Sequence, residues 1–138
     1  MESEDLFKDD DRLFLRVYKA DCQLKQNSHI APHAFEPKGG DGLSVNWSKY
    51  CTTPVACLSK GKIRTRATHG VGHFLVGGVR SINTLKIKYA PSKEDQSHTL
   101  IIGVPPCKRK ADFLEMAQKL RKIFEWDFEP ESSGDIKE

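Results

Sequence analysis

The 138-residue chain has no long apolar run, few cysteines and no signal-like start. No apolar stretch approaches the roughly 20 residues of a membrane-spanning helix, which excludes a span. Its four cysteines are too few and too scattered for a disulfide scaffold, and we expect them to be thiols in a reducing cytosol. The first eleven residues are acidic where a secretory signal is basic and then apolar, so we predict a cytoplasmic protein.

The sequence also lacks the motifs of common enzyme and metal-binding classes. It has no Walker loop, GxGxxG, GxSxG or acidic metal cluster, which disfavours nucleotide hydrolysis, dinucleotide redox chemistry, α/β-hydrolase chemistry and two-metal nuclease action. Two histidine pairs have the spacing of ligands on a helix, but proline or glycine inside each pair argues against a helix. These pairs are His29 with His33 and His69 with His73. We expect no metal and no other cofactor.

Charge is unevenly distributed along the chain. The formal net charge is +3, yet residues 1–11 and 125–138 each carry a net charge of −5. Residues 12–124 therefore carry +13, and such a field attracts polyanions or acidic protein surfaces. We predict a flexible acidic N-terminal segment at 1–11, a single domain at 12–128 and an acidic tail at 129–138.

Residue patterns predict three strands, at residues 12–18, 84–90 and 98–103. In the second, apolar side chains alternate with lysines, as in a strand with one solvent-facing side. Residues 73–80 contain a glycine pair and fit either a broken strand or a short helix. Residues 19–46 are rich in Gln, Asn, Pro and Gly, which predicts a long ordered loop.

Two helical segments are predicted. Ser44 is placed to cap one helical turn through Tyr50, which the Thr53–Pro54 step ends. Asp112 and Glu115 resemble a capping box. Apolar residues with helical spacing follow at Phe113, Ala117, Leu120 and Phe124. The order of elements predicts an α+β fold, in which a small, mainly antiparallel sheet is covered by one C-terminal amphipathic helix and carries a long ordered loop.

The segment from Lys60 to Arg66 has a cation at every second position. In an extended chain these cations would face one side at intervals of roughly 6.6 Å, which is of the order of the phosphate spacing along a nucleic-acid strand. With other cations and two aromatic rings for base stacking they form a candidate nucleic-acid-binding set. The set is Lys60, Lys62, Arg64, Arg66, Lys86, Lys88, Trp47 and Tyr50. The alternative interpretation is a solvated basic loop.

A second set of residues has the chemistry of an enzyme site. A histidine at a strand start, two arginines at strand ends and a serine can supply a base, charge stabilisation and a nucleophile. These residues are His98, Arg16, Arg80 and Ser44. The alternative interpretation of His98 is a structural hydrogen bond.

Short motifs spread over residues 12–104 resemble a family of short, uncharacterised bacterial proteins. The shared text is an Ala-Phe pair ending at Phe35, LSV-x-W ending at Trp47, a Thr-Thr-Pro break, and a late histidine segment, here Ser-His-Thr-Leu-Ile-Ile-Gly, ending at Gly103. This chain differs at residues 29–33, where the family has a serine-rich step. The resemblance implies no activity.

Three functions are consistent with these patterns. The leading hypothesis is a binding module whose basic face engages nucleic acid or an acidic protein partner. The second is a small enzyme that uses His98 with Arg16 or Arg80. The third is an accessory subunit of a larger complex, with Trp47, Tyr50 and the loop around Phe35 as its contact patch.

Overall fold

The computed structural model describes residues 6–18, 22–23, 29–37, 42–59 and 64–130, with only the backbone described at 22–23 and 29–30. These residues form an α+β fold. The strands are β1 (Arg12–Tyr18), β2 (Cys22–Gln23), β3 (His29–Ile30), β4 (Leu43–Trp47), β5 (His69–Leu75), β6 (Lys86–Tyr89), β7 (His98–Ile102) and β8 (Glu125–Phe128). The α-helices are α1 (Val76–Arg80) and α2 (Lys110–Ile123), and 3₁₀ helices span Pro32–Phe35 and Val55–Ser59.

Six strands form one antiparallel sheet in the order β6-β7-β4-β1-β5-β8, and β2 pairs with β3 in a separate ribbon. The expected antiparallel sheet is therefore confirmed. The strands predicted at 12–18, 84–90 and 98–103 correspond to β1, β6 and β7, and β6 and β7 form a hairpin. Residues 73–80, which fitted a strand or a helix, contain both, since β5 ends at Leu75 and α1 follows.

The predicted helical turn is wrong at Ser44, because residues 43–47 are strand β4, and a single turn follows only at residues 48–50, where the Trp47 carbonyl accepts from the Tyr50 and Cys51 amides. Leu43, Val45 and Trp47 alternate toward one side of the sheet and are all buried, and this burial outweighs the capping signal. The prediction of one long loop over residues 19–46 is also wrong, because the described part of this segment includes β2, β3, a 3₁₀ helix and the start of β4.

One side of the sheet, the helix face, carries Leu13, Leu15 and Val17 of β1, which belong to the main hydrophobic core. The predicted amphipathic helix is confirmed as α2, which buries Phe113, Met116, Ala117 and Leu120 in that core. The predicted capping box is wrong, because the N-cap is Arg109 and Asp112 lies in the first turn, where it forms an ion pair with Arg109. Helix α2 is not the whole cover, since Phe35 of a 3₁₀ helix and Val79 of α1 also join the core.

The opposite side of the sheet, the loop face, carries Phe14 and Arg16 and is covered in part by residues 51–58. Cys51 and Cys57 form a disulfide across this segment, with their Cα atoms 6.3 Å apart. The expectation of four thiols is therefore wrong for this pair. Both cysteines are buried against Phe14, so the disulfide closes the small second core.

The acidic N-terminal segment was expected to be flexible, but residues 6–11 pack on the domain. Phe7 is buried against Trp47, with ring centroids 4.2 Å apart. Asp11 accepts a hydrogen bond from Trp47 Nε1 at 2.9 Å. Residues 1–5, and residues 131–138 of the predicted tail, lie outside the described part of the chain. None of the helices described there has the length and apolar content needed to cross a bilayer.

Candidate functional site

The candidate site is a cleft that opens where β1 and β4 separate. The two strands pair only at Leu13 with Trp47 and at Phe14 with Asn46, so the sheet is open beyond that point. A cleft of about 290 Å³ occupies the opening. It is lined by Leu15, Arg16, Tyr18, Ala34, Glu36, Leu43, Ser44, Arg64 and His69.

Two arginines reach this cleft from different segments. Arg16 projects from β1 and donates a hydrogen bond from Nη1 to the carbonyl of Cys57 at 2.9 Å. Arg64 donates from Nη1 to the carbonyl of Leu58 at 3.3 Å. The two guanidinium groups thus bind consecutive carbonyls near the end of a 3₁₀ helix, where cations are favourable. This shared anchor brings their positive charges together beside Ser44 and His69.

The cleft holds two arginines whose charged forms are destabilised by burial. Burial, and then the like charge of Arg64, lower the pKa of Arg16 to about 10, while Asp95 acts in the opposite direction. Burial also lowers the pKa of Arg64. Binding of an anion beside the two groups would favour their charged forms.

Ser44 and His98 form a hydrogen-bonded pair at the edge of the cleft. Nε2 of His98 lies 3.2 Å from Oγ of Ser44, and Nδ1 lies 2.8 Å from the carbonyl oxygen of Ala90. A carbonyl oxygen only accepts, so Nδ1 carries the proton in the neutral ring and Nε2 accepts from the Ser44 hydroxyl. Three of the four predicted catalytic residues, Arg16, Ser44 and His98, are therefore close in space.

Arg80 is the exception among those four, and it does not line the cleft. Its Nη1 forms an ion pair with Asp9 at 2.8 Å, and its Nη2 donates to the carbonyl of Phe7 at 3.0 Å. Arg80 thus holds the N-terminal segment against α1. Its proposed catalytic role with His98 has no support from its position.

A buried polar network that sequence reasoning missed supports the His98 end of the site. Asn46 Nδ2 donates to Asp95 Oδ2 and to Ser97 Oγ, both at 2.7 Å, and Asp95 also accepts from the Ser97 backbone at 3.0 Å. All three residues are buried. The Asp-Gln-Ser order was an available signal, because Asp often bonds the backbone two residues on.

The predicted nucleic-acid-binding residues lie in different parts of the fold. Lys60 and Lys62 lie outside the described residues. Arg66 lies in a turn, with its guanidinium 4.5 Å from the centroid of the Phe128 ring, so the described half of the predicted strip is not an extended strand. Lys86 and Lys88 are exposed and alternate with buried Ile87, which confirms the predicted solvent-facing side of this strand, and strand pairing places them on the loop face.

Base stacking by Trp47 is excluded by its burial. Trp47 is 1% exposed and is packed between Phe7 and the rings of Tyr50 and Tyr89. Tyr50 is partly buried and stacks on Tyr89. Phe35 is fully buried as well. The predicted contact patch of an accessory subunit is therefore mostly hydrophobic core.

The two histidines of β5 do not share a site. His69 Nδ1 lies 2.8 Å from the Thr68 hydroxyl, and its ring contacts Tyr18 at the cleft. His73 is buried, with Nδ1 3.0 Å from a carboxylate oxygen of Asp127. His33 is exposed on a 3₁₀ helix, and the side chain of His29 lies outside the described part.

Together the fold and the cleft define a small α+β protein in which an antiparallel sheet opens onto paired arginines. Comparisons of the chain with models of known protein families, with curated proteins and with solved structures find no match. The resemblance to short uncharacterised bacterial proteins therefore stays a prediction.

Proposed function

We propose that this protein is a binding module that holds nucleic acid through its phosphates, with one phosphate seated in the cleft between β1 and β4. The observation that carries the proposal is the convergence of Arg16 and Arg64 on one cleft. Guanidinium groups match the geometry of phosphate oxygens and remain charged at neutral pH. Each has five N–H donors, so a bond to a carbonyl is compatible with binding an oxyanion.

The positions of other cations on the same face support a polymeric ligand over a single phosphate. Ser44 pairs with Leu100, and Leu100 pairs with Lys88, so the cleft and Lys88 share one cross-strand row on the loop face. Two strand spacings separate them, roughly 10 Å. Lys86 extends this row along the edge strand. A phosphate backbone that runs across β4, β7 and β6 on the loop face can contact the cleft and this edge together.

The experiment is fluorescence anisotropy with labelled single- and double-stranded DNA and RNA across a salt series. We expect affinity to fall steeply with salt, because phosphate binding releases counterions. Arg64→Glu and Lys88→Glu should each weaken binding at least about tenfold and reduce the dependence on salt.

Lys119→Glu is the matched control, because it makes the same charge change at an exposed position of α2, on the other side of the sheet. Equal losses of affinity in all three variants would show that binding depends on net charge and not on the loop face. Absence of binding at low salt would discard the nucleic-acid proposal and direct the search to acidic protein partners.

A second candidate function, a small hydrolase, is favoured by the Ser44–His98 pair alone. The serine hydroxyl donates to a histidine whose other nitrogen is held by a backbone carbonyl, which is the arrangement of an activated nucleophile. Arg16 and Arg64 would then stabilise negative charge as it develops on the substrate.

A fluorophosphonate probe tests the hydrolase directly. Ser44 Oγ would attack phosphorus as fluoride leaves, and Nε2 of His98 would accept the hydroxyl proton. Mass spectrometry should locate the adduct on Ser44, and His98→Ala should remove it while circular dichroism stays unchanged. Wild-type protein that stays unlabelled would reject this function and leave the binding proposal intact.

A further inference from the structure

His33, Glu36 and Cys107 form a cluster of three side chains that can bind a metal. One ligand atom from each residue, an imidazole nitrogen, a carboxylate oxygen and a thiol sulfur, lies within 4.8 Å of the other two. His33 is exposed, and Glu36 and Cys107 are partly buried. Cys107 is not part of the Cys51–Cys57 disulfide.

Local structure explains why the three residues meet. His33 and Glu36 are three apart at a 3₁₀ helix, where side chains at that spacing lie above one another. The Glu36 amide donates to the His33 carbonyl at 3.2 Å and closes the turn. Burial of Ala34 and Phe35 fixes the other side of the helix in the core. Cys107 arrives from the connection between β7 and α2.

The donor set selects among metals. Thiolate and imidazole suit Zn²⁺, whereas Mg²⁺ and Ca²⁺ require oxygen ligands, and the cluster contains one carboxylate. Metal–ligand lengths near 2.0–2.3 Å place tetrahedral ligand atoms roughly 3.3–3.7 Å apart, so the side chains would close by at most roughly 1.5 Å. A thiolate, a carboxylate and a neutral imidazole also balance the charge of a divalent ion.

We propose that His33, Glu36 and Cys107 bind one Zn²⁺ ion, with a fourth position open to water or a ligand. Three protein ligands and an open position characterise catalytic rather than structural zinc sites. Glu36 also lines the cleft between β1 and β4, so the metal would lie at the border of that cleft. Sequence reasoning missed this cluster, because His33 was paired with His29 by spacing, while Cys107 lies far from His33 and Glu36 along the chain.

The test uses tag-free, metal-stripped full-length protein under anaerobic, non-reducing conditions. Titration with Co²⁺ should reach saturation at one ion per chain and give the near-ultraviolet charge-transfer band of cobalt thiolate, and Zn²⁺ should displace the Co²⁺. Cys107→Ser should abolish the band. His33→Ala and Glu36→Gln should each weaken Zn²⁺ binding at least about tenfold, since removing even outer-shell partners costs about 10- to 100-fold.

His73→Gln, at a histidine that pairs with Asp127, and Glu94→Gln, at an exposed glutamate between β6 and β7, are the matched controls and should bind as the wild type does. Amide NMR spectra verify that each variant is folded. Folded wild-type protein without saturable one-to-one binding would overturn the proposal. A charge-transfer band that survives Cys107→Ser, or Zn²⁺ affinity that is unchanged in His33→Ala and Glu36→Gln, would overturn it equally.

Discussion

Arg16 carries its charge into a largely buried position, where burial and Arg64 lower its pKa to about 10. The folded state therefore holds this proton less tightly than the unfolded state. Below pH 10 the buried charge lowers the free energy of unfolding, and this cost is relieved only as pH rises through the folded pKa. An anion in the cleft would offset the same cost at neutral pH.

Low millimolar phosphate should therefore raise the melting temperature of the wild type more than that of Arg64→Gln, at matched ionic strength. Exclusion of phosphate from the protein surface stabilises both proteins alike, so the difference between them is the readout. Differential scanning fluorimetry measures it. Identical shifts in the two proteins would show that the cleft does not bind the anion.

We expect Asn46 to contribute more to the free energy of unfolding than Ser44, which lies on the same face of β4. Asn46→Ala leaves the buried Asp95 without one of its hydrogen bonds, and we expect the free energy of unfolding to fall by about 1–3 kcal/mol. Ser44→Ala, at an exposed position, should change it by about 0.5 kcal/mol or less. Urea unfolding provides both values, and equal effects would contradict the role given to the network.

Residue chemistry alone indicates part of the site. Arg16, Ser44 and His98 were selected because their functional groups suit a site, and the sheet brings them together. Asp95 and Asn46 were missed because their role depends on a contact across 49 residues. Trp47 was misassigned because sequence does not show whether an aromatic ring lies in the core or on the surface.

At the scale of elements, helix α2 was predicted well because its apolar residues repeat with one period over several turns. Leu120→Ala should lower the free energy of unfolding by about 2–5 kcal/mol, since Leu120 is fully buried. Leu114→Ala, on the exposed side of the same helix, should cost about 0.5 kcal/mol or less. Similar losses at the two positions would contradict the packing of α2 on the sheet.

Strands β4 and β8 show where pattern reading failed. In β4 the serine and proline signals suggested a helical turn, whereas burial of three alternating residues decides for a strand.

Strand β8 was not predicted, because Glu125 and Asp127 were taken as part of an acidic end. Trp126 and Phe128 alternate with them, and Gly72 on the neighbouring strand leaves room for Phe124, which a side chain there would displace.

The disulfide of the loop face should stabilise the fold by about 2 kcal/mol, the chain-entropy value for a loop this short. Cys51→Ser with Cys57→Ser should show this loss in urea unfolding. Alkylation of denatured protein followed by mass spectrometry should label Cys107 but label Cys51 and Cys57 only after reduction. Labelling of all three without reduction would contradict the disulfide.

At the scale of the whole molecule, the two sides of one sheet have different roles. The helix face builds the core with α2, and the loop face gathers Arg16, Arg64 and the exposed lysines of β6. Net charge along the chain predicted attraction to polyanions, but charge counts could not say which side would hold them. That division follows from strand pairing, which sets every second residue to the same side.

The most direct measurement is NMR mapping of a short oligonucleotide on labelled protein, following backbone amides and arginine side-chain Nε–H signals. We expect shifts at Arg16, Arg64 and Ser44, with weaker shifts along β6 and none on the exposed side of α2. Shifts concentrated on α2, or saturable binding that leaves both arginine side chains unchanged, would contradict the phosphate-binding cleft.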